Sequence, residues 1–226
     1  MSEPLILTFY RKLPQPDPRD FDDLWTAGVQ DALRGFRDSI RNNYNEGTLE
    51  RLLQHPEDSC RQAAVLALGL VGSISSNAAL AATLKDEDPL VRRFAHDALW
   101  EVWFRGVDPE QSWALQQALQ LPDFAEALAA MDDLIAMAPE YAEAYNQRAM
   151  LYFRRAEYSR SAIDCRSALR LNPYHFGAAA GLGQCCLRMK KPRAALRAFE
   201  QALKINPMLG DLEDAVRALQ EALGEA

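Results

Sequence analysis

From about residue 20 to the end, apolar residues recur at three- and four-residue steps, and strand-type alternation is almost absent. Alanine and leucine dominate the recurring positions. An apolar position roughly every 3.6 residues lays one stripe along a helix, so the pattern predicts a succession of amphipathic helices. Asp20 is placed to cap a first helix running to about Asn42, with Phe21, Trp25, Val29, Leu33, Phe36 and Ile40 on one stripe. Ahead of it lies a short apolar patch, "LILTFY", and then Pro14, Pro16 and Pro18, which deny a helix where they stand. Residues 1–19 are expected to form an extended or mobile tail, or to lie along a groove of this molecule or a neighbour.

Two periods follow each other. "TLERLLQHPEDSCRQAAVLALG" aligns with "NAALAATLKDEDPLVRRFAHDALW" at a step of 31 residues. Leu49 pairs with Leu80, Leu53 with Leu84, Arg61 with Arg92, Ala64 with Ala95, Ala67 with Ala98 and Leu68 with Leu99. Glu57–Arg61 and Asp88–Arg92 each set an acid four residues before an arginine, a favourable helix pair. Further on the step is 34: Pro139, Pro173 and Pro207 coincide, as do Ala168 with Ala202, Leu169 with Leu203 and Phe124 with Tyr158. Each proline ends a helix, because it lacks an N–H and pushes the residue before it away from helical geometry.

The 34-residue step ending in proline resembles the tetratricopeptide repeat (TPR) family. The segment from Phe176 to Leu209 carries the clearest match, with Leu182 and Gly183 in its first helix, Ala195, Phe199 and Ala202 at small, large and small positions of its second, and Pro207 at its close. The segment from Ala142 to His175 keeps Tyr145, Ala149, Tyr152, Tyr158, Ala168 and Pro173 but has Arg148 where leucine is usual and Ser161 where alanine is usual. The segment from Asp108 to Tyr141 keeps Phe124, Ala127 and Pro139 and is degenerate in its first helix. The 31-residue step is similar to short HEAT-like repeats, although a HEAT period is usually about 40–47 residues.

The resemblance implies an all-α fold, a right-handed α-solenoid of stacked antiparallel helix pairs, HEAT-like and then TPR. The expected layout is a tail at 1–19, a capping helix at 20–46, two HEAT-like repeats at 47–107, three TPR repeats at 108–207 and a C-terminal capping helix at 208–226. Such pairs cannot bury their apolar stripes alone and are stable only when stacked.

Composition narrows the chemistry. The net charge of −7 gives no overall pull toward nucleic acid or an anionic membrane. Four cysteines are too few and too irregular for a disulfide framework, no signal-like stretch opens the chain, and the longest apolar run is about half a membrane span, so a cytoplasmic protein is expected. The three histidines are scattered and read as surface or loop residues, and no Cys/His set has a zinc spacing. No catalytic residue, metal ligand or cofactor is assigned, and the expected chain is not an enzyme. "GLGQCC" offers two glycines and two thiols, but it falls inside a predicted helix, where Gly183 serves packing and a phosphate loop has no preceding strand. Trp100, Trp103 and Phe104 share a helix face and are expected to fill core.

Charge is divided unevenly. Glu140 to Pro207 holds twelve Lys/Arg and five Asp/Glu, a balance of +7 against −14 elsewhere, and residues 108–139 hold six acids and no base. In TPR proteins the first helix of each pair lines the concave groove. By that resemblance Asn146, Met150, Phe153 and Arg154 face the groove in one repeat, and Ala180, Gln184, Leu187 and Arg188 in the next. Apolar floor and paired arginines suit a peptide with an acidic group or a C-terminal carboxylate. The family's two-carboxylate clamp of Lys and Asn is replaced by Ser112, Gln116, Gln147, Gly177 and Gly181, which argues against a chaperone's acidic tail. The expected function is non-catalytic protein–protein interaction. The alternatives are self-assembly with residues 1–12 in a neighbour's groove, and nucleic-acid binding along the basic rear face, which the acidic total disfavours.

Overall fold

The computed structural model describes residues 3–14, 27–106 and 108–224, all of them helix or connecting loop with no strand among them. The thirteen α-helices of the described residues fall in two compact units, Met1–Val102 and Trp103–Ala226. The chain is all-α, and within each unit helices pair in chain order. Connections of a few residues force neighbours to run antiparallel.

In the first unit, α1 (Leu5–Tyr10) and α2 (Ala27–Asn43) both pack on α4 (Asp58–Val71), which pairs with α3 (Glu46–Leu52). Helix α1 corrects the expected tail. Ile6, Leu7 and Tyr10 are buried, and the Tyr10 hydroxyl donates to Gln62 Oε1 at 3.1 Å. The apolar face of "LILTFY" is therefore covered within its own unit, which removes the tail-in-groove contact with a neighbour. Phe36 and Ile40 of the predicted α2 stripe are buried, and Tyr10 meets Phe36 edge to face. Asp20, Phe21 and Trp25 lie outside the described residues.

Helices α5 (Asn77–Thr83) and α6 (Pro89–Arg105) repeat the α3–α4 pair. The 31-residue step is written in hydrogen bonds: Arg61 Nη1 donates to the carbonyls of His55 and Pro56, and Arg92 Nη1 to those of Asp86 and Glu87. The expected Glu57–Arg61 and Asp88–Arg92 pairs give way to other partners. Arg61 forks onto Asp86 with two 2.8 Å bonds and also reaches Asp58, while Asp88 caps the backbone N–H of Val91 and accepts from Gln62. A fork onto a planar carboxylate is the stronger geometry. A Cβ on Gly69 would stand 3.0 Å from that of Ala98, so glycine permits close approach of α4 and α6.

The second unit begins inside α6, at Trp103. Its pairs are α7 (Pro109–Gln120) with α8 (Phe124–Met137), α9 (Ala142–Arg154) with α10 (Tyr158–Leu171) and α11 (Phe176–Arg188) with α12 (Pro192–Ile205). Helix α13 (Gly210–Leu223) covers α12 with Leu212, Ala215, Val216 and Leu219. The 34-residue step is legible in the backbone. Ala138, Asn172 and Asn206 each leave the second helix of a pair with φ of −133°, −131° and −126°, and each donates its N–H to the carbonyl four residues back at 2.8 Å. Ala156 and Lys190, also 34 apart, both take φ of 59° between the helices of a pair. Pro122 stands at the corresponding place between α7 and α8, and its ring forbids that conformation.

Candidate peptide-binding face

Of the residues expected to face a groove, the α9 and α11 surfaces present most and hide one. Met150 and Leu187 are exposed large apolar side chains at 44% and 36%. Arg154, Gln184 and Arg188 are exposed, and Phe153 and Ala180 are half-buried. Phe153 and Arg188 meet across the pairs, with the guanidinium carbon 6.0 Å from the ring centroid, at the outer reach of a cation–π contact. Asn146 is the exception. It is buried, and its amide donates to Glu143 Oε1 at 3.1 Å, so it leaves the expected surface.

Behind this face lies a polar network that sequence reasoning missed. Glu143 and His175 are both fully buried, with His175 Nε2 2.8 Å from Glu143 Oε2. His175 Nδ1 accepts the N–H of Ala178, so the ring proton sits on Nε2 and donates to the carboxylate. Glu143 Oε1 takes the amides of Asn146 and Gln147, the latter at 2.5 Å. With both oxygens engaged, the carboxylate positions α9 against the start of α11. Trp103 stacks on the His175 ring at 4.2 Å and tilts against Phe176 at 5.0 Å. The tryptophan is core, as expected, whereas His175 is buried rather than at the surface. A lone histidine carries no periodic signal, and its acid lies 32 residues earlier.

Both departures from the repeat pattern in α9–α10 acquire partners. Arg148 forks onto Asp164 with bonds of 2.7 and 2.8 Å and reaches Asp132 at 2.6 Å. The Asp164 hydrogen bonds hold the Arg148 proton more tightly than usual. Ser161 donates to the Ala149 carbonyl at 2.8 Å and accepts the thiol of Cys185 at 3.0 Å. The contact between the Cys165 and Cys185 thiols shifts them in opposite senses, Cys165 upward and Cys185 downward. Hydrogen bonds thus run from Cys185 on α11 through Ser161 on α10 to the Ala149 carbonyl, tying α10 and α11 to α9. All four cysteines are buried free thiols. Gly183 is the packing residue expected, since a methyl there would overlap the Phe199 ring.

These features match known repeats. Residues 177–209 fit the tetratricopeptide repeat model, and residues 45–135 fit the model for HEAT repeats. The chain carries tetratricopeptide repeats with HEAT-like repeats ahead of them. The HEAT match runs on to residue 135, through α7 and most of α8, the pair whose first helix departs most from the TPR pattern. A TPR repeat-containing protein of Rhizobium etli is 35% identical over 97 residues, 43% of this chain and 48% of that protein, so the chain spans about half the length of that relative. Among solved structures, the first TPR of Spaghetti (RPAP3) bound to an HSP90 peptide is 21% identical over 52% of this chain and 97% of that one, with a TM-score of 0.47. A thermophilic TPR protein of Thermus thermophilus is 21% identical over 87% and 93%, with a TM-score of 0.39.

Among the described residues no group of three or more His, Cys, Asp or Glu is placed to hold a metal ion. No described helix is long and apolar enough to cross a membrane.

Proposed function

We propose that the TPR pairs bind a partner peptide on the face formed by α9 and α11, without catalysis. Met150, Phe153 and Leu187, with Ala180 and Gln184 beside them, give an apolar floor, and Arg154 and Arg188 stand at its edge. The observation that carries the reading is Arg188 held over the half-buried Phe153 ring while Met150 and Leu187 stay exposed. An arginine resting on an aromatic ring is pre-organised, so less freedom is lost when it pairs with a carboxylate. The ligand is an extended or helical segment that sets apolar side chains on the floor and an acidic group, or its own C-terminus, on the arginines. The clamp positions support a ligand other than a chaperone tail: Gln147 is engaged by Glu143, and Gly177 and Gly181 have no side chain to offer.

The test is selection from a displayed peptide library with the full chain and with an Arg154→Glu/Arg188→Glu variant of equal helicity. Acidic or carboxylate-ending peptides retained by the native chain and lost by the variant support the reading. Retention of the same peptides by both chains refutes it. A pool of nucleic acid run alongside, with steep salt dependence of any capture, separates the basic-face alternative.

A further inference from the structure

A second face of the same unit has no role in that reading. Trp113 on α7 is 65% exposed and Met137 at the end of α8 is 67% exposed, more than any other large apolar side chains described. With Pro109, Ala114 and Glu110 they line one cleft of about 500 Å³. Asp133 stands one helical turn before Met137, and residues 108–139 contain six acids and no base. A solvated helix has no need of an exposed tryptophan, and tryptophan is enriched where binding energy concentrates.

A cleft of complementary chemistry lies at the other end of the unit in chain order. It measures about 510 Å³ and is lined by Lys191, Pro192, Arg193, Ala194, Arg197 and Leu223. Pro192, Ala194 and Leu223 offer apolar wall, and three cations stand around it. An indole there would meet apolar side chains on its edge and cations over its face. Helices α9 to α11 lie between the two clefts along the chain, so the clefts belong to different helix pairs, and one molecule can offer its Trp113 face to the basic cleft of another.

We propose that the acidic α7–α8 face docks a second copy of this chain at its α12–α13 cleft, with Trp113 as the anchor. The two faces are different surfaces, so the contact is heterologous and adds copies head to tail. Opposite charge at the rims sets the orientation and speeds encounter.

Sedimentation velocity of the full chain, from micromolar to submillimolar, tests this. At about 0.01 M salt, where the Debye length is about 30 Å, the sedimentation coefficient rises with concentration; at about 1 M, where it is about 3 Å, the rise is suppressed. Trp113→Glu weakens association about 30-fold or more, the scale of a lost anchor. The deciding arm mixes Trp113→Glu with Lys191→Glu/Arg197→Glu. Each variant keeps one intact face, so each alone associates more weakly by about 30-fold or more, and the mixture stops at a one-to-one dimer. Circular dichroism confirms equal helicity, and Trp113→Gln replaces Trp113→Glu if that chain misfolds. A chain that stays monomeric throughout overturns the proposal, as does association undiminished in either variant alone, or an associating native chain whose two variants fail to pair.

Discussion

The α7–α8 pair and the α9–α12 pairs share one 34-residue step but complete it differently. In α9–α12 each turn inside a pair passes through a left-handed residue, Ala156 or Lys190. Long polar side chains have turned inward to find partners: Arg148, where leucine is usual, on Asp164, and Glu143 on His175. In α7–α8 Pro122 excludes that turn, and Trp113, on the degenerate first helix, is left facing water. Departure from a repeat pattern therefore has two meanings. With a partner in the fold it is a compensated exchange that specifies which helices pack. Without one it is surface, and surface that keeps a tryptophan is a candidate for contact.

The comparison breaks most visibly at Arg148. Restoring the usual residue with Arg148→Leu leaves the Asp164 carboxylate buried without its fork and is expected to destabilise the chain by about 3 kcal/mol in urea unfolding. Arg148→Leu combined with Asp164→Leu is expected to recover most of that loss, because the buried charge goes with its partner. A double variant as unstable as the single one would mean that the exchange is not compensated. A smaller effect of opposite sign is expected at Lys190. Lys190→Gly relieves a left-handed residue and should stabilise by about 0.5–1 kcal/mol, read as a shift in urea midpoint at unchanged slope. No gain would show that the turn is not strained.

Most of the helix pairing was legible in the sequence, because each signal was local or periodic. Pro139, Pro173 and Pro207 marked the helix ends, Gly183 and Phe199 marked the close approach of α11 and α12, and Arg61 and Arg92 marked the shorter step. Three features were hidden for physical reasons. Helix α1 has too few residues for a periodicity to declare itself, and the prolines beyond it read as a tail. His175 and Glu143 come together only through stacking of α11 on α9. Asn146 sat at a groove position by the family resemblance, but the buried carboxylate one turn earlier draws its amide inward. Of the candidate face, the exposure of Met150 and Leu187 was readable from register, whereas the Arg188–Phe153 contact depends on side-chain directions that register does not contain.

The central claim is that the α9–α11 face reads a peptide and that Trp113 belongs to a different surface. Calorimetric titration of one library-selected acidic peptide into three chains tests it directly: native, Arg154→Glu/Arg188→Glu and Trp113→Glu. The account predicts full affinity in the native and Trp113→Glu chains and a loss of about tenfold or more in the arginine variant, since a hydrogen bond to a charged group contributes about 1.5–3 kcal/mol. Undiminished binding by the arginine variant, or lost binding by a folded Trp113→Glu chain, would contradict it.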